Sequence, residues 1–151
     1  MINIKKLYKY KKLLNFYPPF MGAGIRIKQH SIEGNSYLVE MKLRWYNRNV
    51  AGTHFGGSLY SMCDPFFVFA AYSHFGDEYI IWDKSASIDF VSPGKGTVTG
   101  LFEISEDRLI TMKEEVDRVG KQTFQFEAEI LNAEKRIVAR IKKEIYIRKK
   151  R

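Results

Sequence analysis

Asn49-Val-Ala-Gly-Thr-His54-Phe-Gly56-Gly57-Ser-Leu-Tyr-Ser-Met-Cys-Asp64-Pro65 joins a glycine pair to the start of a long apolar segment. From Phe55 to Phe75 the only formally charged side chain is Asp64. Burial disfavours the charged form of a carboxylate, so an acid alone in such a run needs a reason to be there. Pro65 follows it and cannot donate a backbone hydrogen bond. The spacing predicts an apolar helix from about Gly57 to Phe75, closed by Gly76-Asp77. A helix that is apolar nearly all round has to be wrapped by other structure.

The flanking sequence supplies the wrapping. Gly24–Ile32 alternates as a strand, Glu33-Gly34-Asn35 reads as a turn, and Tyr37–Trp45 alternates cleanly. In the latter Tyr37, Val39, Met41, Leu43 and Trp45 share one face. Four more strands read at about 80–90, 97–104, 122–131 and 137–147. In the last, Lys143 is the single charged residue on an otherwise aliphatic face. A helix over 106–119 carries Leu109, Met112 and Val116 on one side, with Ser105 as its N-cap and Gly120 as its stop. Residues 3–16 form an amphipathic helix pattern, ended by Pro18-Pro19. The expected class is α+β: a central helix wrapped by a curved antiparallel sheet of five to six strands, with an extra N-terminal helix. One domain spans 1–151, with a helix and linker over 1–19, a core over 20–148 and a basic tail over 149–151. Its exposed sheet edges call for a homo-oligomer, dimer or tetramer.

Composition narrows the function classes. The chain has 151 residues, 45% of them hydrophobic, and one cysteine, Cys63, so no intramolecular disulfide framework is available. No secretory leader pattern opens it, and the expected location is cytoplasmic. Nine of the 25 basic residues sit in residues 1–16 and 148–151, which leaves 16 against 17 acids in between. The net charge of +8 is thus a property of the ends and marks no nucleic-acid-binding stripe. Peripheral membrane contact through residues 1–16 is an alternative use for it. His30, His54 and His74 share no metal-ligand spacing, and no phosphate loop or serine elbow is present.

Gly56-Gly57 followed by an acid seven residues later, on an Asn-containing loop, resembles hotdog-fold acyl-CoA thioesterases of the phenylacetate-pathway type. Ser85-Ala-Ser-Ile88-Asp89-Phe90-Val-Ser-Pro93-Gly94 is similar to that family's strand after the central helix and its Pro-Gly bend. The N-terminal helix and the helix at 106–119 resemble a less characterised branch of the same superfamily. Here Phe55, and not a histidine, directly precedes the glycines, and His54 stands one place earlier.

The resemblance implies a thioester hydrolase acting on acyl-CoA, or acyl carrier protein, with no cofactor beyond the CoA thioester itself. Asp64 is then general base or nucleophile, and both roles stay open. Gly57 and Gly56 supply backbone amides to the oxyanion, and Asn49 orients water or carbonyl. His54 is either a catalyst or a loop histidine satisfied by a carbonyl. Asp64 lies about two helical turns from Gly57, on the order of 10 Å; the resemblance implies that it works with the glycine end of a neighbouring subunit or strand, in a pocket at a dimer interface. Phe55 and Phe67 are candidate substrate contacts, as are Pro93, Gly94 and Lys95 at the bend. Lys84 either touches substrate or forms a structural ion pair with Asp83. A non-catalytic acyl- or lipid-binding module of the same fold is the alternative.

Overall fold

The computed structural model describes residues 11–150. The first ten residues and Arg151 lie outside that range, and with them most of the expected helix over 3–16. Helix α1 is Lys11–Leu14 and α2 is Pro18–Ala23. The Pro-Pro pair therefore opens a second helix and is no linker. Pro fits the first turn, where its missing N–H is not needed, and Gly24 closes α2 in a left-handed conformation at φ 75°.

Strands β1 (Ile25–His30), β2 (Ser36–Lys42), β3 (Tyr79–Phe90), β4 (Thr97–Glu103), β5 (Lys121–Asn132) and β6 (Ile137–Lys149) form one sheet in the order β1-β2-β4-β5-β6-β3. Every pairing is antiparallel. Helix α5 is Glu106–Val119; its N-cap, Ser105, accepts from the Arg108 amide at 3.3 Å, and Gly120 stops it at φ 82°. Leu109, Met112 and Val116 are the buried face, as their spacing required.

The central helix is broken. It runs as α3 (Gly56–Ser61) and α4 (Phe66–Phe75), with Met62–Pro65 between them. Pro65 has no N–H to continue the ladder, and the next regular turn starts with the Phe69 amide on the Pro65 carbonyl at 2.8 Å. In α4, Phe66, Phe67, Phe69, Ala70, Ala71 and Phe75 are buried. The Phe66 ring stacks between Phe20 and Phe102, at 5.7 and 5.2 Å between centroids, and Phe67 stacks on Phe126 at 5.0 Å. The sheet's inner face closes on this aromatic column. Tyr37, Val39 and Met41 of β2 point into it as expected. Trp45 does not: β2 ends at Lys42, the alternation ends with it, and the indole stands 80% exposed. No helix among the described residues is long and apolar enough to cross a membrane.

Candidate active site

Two clusters emerge along the stretch from Asn49 to Pro65. The first lies at the N-terminal end of α3. Asn49 builds its own loop: its Oδ1 accepts the amides of Ala51 and Thr53 at 3.0 and 3.1 Å, and its Nδ2 donates to Thr53 Oγ1 at 3.0 Å. The His54 amide donates to the Gly94 carbonyl at 2.9 Å, and its Nε2 meets the Gly96 carbonyl at 3.1 Å. The ring is buried, which lowers its pKa below 6.5. His54 therefore ties the α3 entry to the Pro93-Gly94 bend through its amide and Nε2, while its Nδ1 is buried with no hydrogen-bond partner among the described residues.

The sign of the resulting pH effect follows directly. A histidine whose pKa falls on folding takes its proton first in the unfolded chain. Stability is then full above about pH 6.5 and falls as the pH drops below it. Melting temperature measured against pH should show this acid-side decline, and His54→Gln should flatten it. An equal slope in the variant would assign the decline to other groups.

Ser58 and Leu59 donate the first amide bonds of α3, both to the Phe55 carbonyl, at 2.9 and 3.1 Å. The Gly56 and Gly57 amides stand ahead of them, where a helix has no partners of its own. A Cβ on Gly57 would overlap the Phe55 ring, and one on Gly56 would come within 2.9 Å of Phe90. Two half-exposed phenyl rings thus lie over the glycine pair, and only glycine admits them so close. Phe90 had no distinguishing mark in the sequence. Pro93 and Lys95 are exposed beside the bend.

The second cluster surrounds Asp64. Lys143 is 1% exposed and reaches across from β6 into the break between α3 and α4. Its Nζ donates to the Asp64 backbone carbonyl, lies 3.4 Å from Asp64 Oδ1, and donates to Asp83 Oδ2 at 2.9 Å. The proline-induced break turns Asp64 into the site, and the buried ammonium holds it there. The Asp64 side chain itself is 58% exposed. Asp83 sits where β3 shifts register against β6, with Lys84 as the extra, exposed residue of the bulge. Burial raises the Asp83 pKa, opposed by Lys143, and Asp83 Oδ1 is buried with no hydrogen-bond partner among the described residues. The ion partner of Asp83 is Lys143, not the neighbouring Lys84. Lys143 is the residue of this cluster that motif reading passed over. Its mark was its solitary charge on the aliphatic face of β6.

Asp64 and Asp83 line one wall of a cavity of about 710 Å³. The rest is mostly apolar, from Leu14, Tyr17, Phe20, Val68, Phe69, Ile81 and Trp82. Phe67 is not in that lining; it packs against Phe102 and Phe126 instead. None of Asn49, His54, Phe55, Gly56 and Gly57 lines it either. Cys63, beside Asp64, is buried and donates to the Leu59 carbonyl, and burial pushes its thiol up to about 12. It is a small core side chain with no nucleophilic character near neutral pH.

The fold has solved counterparts. A Pseudomonas aeruginosa protein of unknown function, described as a probable thioesterase, superposes with a TM-score of 0.83 at 18% identity, over 96% of this chain and 95% of its own. The PaaI protein of the Escherichia coli phenylacetic acid degradation operon superposes at 0.63 with 23% identity, over 92% and 94%. The phenylacetic acid degradation protein PaaI from Thermus thermophilus does so at 0.61 with 17% identity, over 85% and 97%. No curated protein matches the chain at significant similarity. The wrapped central helix and six-stranded antiparallel sheet are the hotdog fold. A family model matches residues 9–147, and the chain belongs to that family, the domain of unknown function DUF4442.

Proposed function

We propose that the protein hydrolyses the thioester of an acyl-CoA, or of an acyl carrier protein, at the cavity wall formed by Asp64, Lys143 and Asp83. One observation carries this reading: an accessible carboxylate, tethered by a buried ammonium, faces an apolar cavity of about 710 Å³. Such a cavity takes an acyl chain, and the few polar groups at its wall fix the reacting carbon. Asp64 accepts a proton from water as hydroxide adds to the thioester carbonyl carbon, or its own oxygen adds to give a mixed anhydride that water then opens. Either way the tetrahedral oxyanion collapses, the C–S bond breaks, and the CoA thiolate leaves. Lys143 keeps Asp64 in place through its backbone carbonyl and Oδ1.

The oxyanion donors are the Gly56 and Gly57 amides of a second copy. Within one chain these amides do not line the cavity that holds Asp64. Among the described residues the long edge strand β3 pairs only with β6, and it exposes Trp82 and Phe90, an edge suited to a second copy. Phe90 also covers Gly56, so pairing at that edge brings the glycine cluster to the interface. Lys95 is an exposed cation at the bend for the CoA phosphates. The similarity to a protein described as a probable thioesterase agrees with this reading.

The test is thiol release from a panel of acyl-CoAs of rising chain length. Turnover of at least one member is expected, with a preference that Val68→Trp shifts to shorter chains by filling the cavity. Saturable binding of acyl-CoA with no thiol release from any member would replace the hydrolase with the acyl-binding module.

A further inference from the structure

Trp45 is a large apolar side chain held in water by a rigid loop. Asn47, buried two residues further along the loop, donates from Nδ2 to the carbonyls of Ala23 and Lys42 at 2.8 and 2.9 Å. Its Oδ1 accepts the Arg44 amide at 2.7 Å. Tyr46 meets the Trp45 ring edge-on at 5.5 Å and packs over Gly24. The indole is therefore presented on a platform and not on a loose loop.

Around it lie cations. Arg26 and Lys28 on the outer face of β1, Lys42 at the end of β2, and Arg44 line one cleft of about 500 Å³ together with Trp45. Glu40 is the one acid in that lining, and among the described residues none of the four cations is in an ion pair. Phe16 and Met21 form the opposite rim, both more exposed than buried. Unpaired cations ringed by exposed apolar side chains match the head-group region of an anionic bilayer. There Arg and Lys meet phosphates while Trp and other apolar groups enter the interface.

We propose that this face, the outer side of β1–β2 with residues 44–46 and the Phe16–Met21 rim, docks the protein on an anionic lipid surface. Positive charge in the cleft and five lysines in residues 1–16 complement such a surface. The α1–α2 segment that carries Phe16, in the turn between the helices, and Met21, on α2, also places Leu14, Tyr17 and Phe20 in the acyl-sized cavity. Docking thus sets the cavity next to a source of amphiphilic molecules. Docking requires no hydrolysis.

The experiment is co-sedimentation of the full chain with phosphatidylcholine vesicles, with and without about 30% phosphatidylglycerol. Retention on the anionic vesicles alone, weakening as salt is raised, is expected. Trp45→Ser keeps every charge and should lower partitioning about fivefold. Arg26→Glu with Lys42→Glu should lower it about 30-fold or more. Both variants should melt like the wild type, since all three side chains are exposed. No retention on anionic vesicles would overturn the proposal, as would equal retention on phosphatidylcholine alone. Variants that bind like the wild type would overturn it too, by placing the attraction on the terminal lysines. So would binding of free pyrophosphate at the cleft with vesicles ignored.

Discussion

Lys143→Met should lower unfolding free energy by about 2–3 kcal/mol and reduce thioester turnover at the same time. Methionine matches the volume of the lysine stem, so the aliphatic packing of β6 survives. What disappears is the ammonium shared by the Asp64 carbonyl, Asp64 Oδ1 and Asp83 Oδ2. Removing one side of a buried ion pair strands the other, at a cost of about 3–5 kcal/mol when burial is complete. Here the cost is smaller, because Asp64 is 58% exposed and can hydrate. Asp83 is the costlier remnant: its side chain is 27% exposed, and its Oδ1 already lacks a partner among the described residues. Adding Asp83→Asn to Lys143→Met should therefore recover part of the loss. Urea unfolding of the three proteins checks this. A single variant within about 0.5 kcal/mol of wild type would show the cluster to be energetically idle.

Phe67→Ala should cost about 3–5 kcal/mol of stability and leave acyl-chain preference unchanged. Its ring stacks on Phe126 at 5.0 Å and meets Phe102 edge-on at 5.6 Å, and it is absent from the cavity lining. Truncation opens a void between α4 and the sheet that close-packed neighbours cannot fill. Val68, one residue along, lines the cavity, so the opposite is expected there: changes should alter acyl-chain preference more than stability. A Phe67→Ala protein that melts normally but prefers longer acyl chains would return Phe67 to the substrate contacts.

Much of the architecture was legible because periodicity is a backbone property. Alternation located the strands, and the 3.6-residue spacing of Leu109, Met112 and Val116 with Ser105 and Gly120 set α5 at its observed bounds. Local pattern failed where one residue changed the chain's course. Trp45 continued the alternation of β2 on paper, but pairing stopped at Lys42 and left nothing to hold the indole inward. Pro18-Pro19 read as a stop and acts as a start, since proline suits a first helical turn.

The site divides the same way. Asp64 announced itself through its isolation, and the glycine pair through its place at a helix start. Lys143 lies 79 residues from Asp64, and only the β6 register against the helix break brings them together. No spacing rule reaches that far. Asn49, prominent in the motif, builds the loop with its side-chain amide, and His54 fastens it to the Gly94–Gly96 bend through its backbone amide and Nε2.

If Asp64, aimed by Lys143, performs the proposed thioester hydrolysis, its loss must show in single-turnover thiol release by Asp64→Asn against wild type on the best acyl-CoA. Asparagine keeps the shape and the Lys143 bond to the backbone carbonyl, so folding should be preserved. A rate loss of about 100-fold or more with unchanged melting temperature is the predicted result. Equal rates in the two proteins would contradict it.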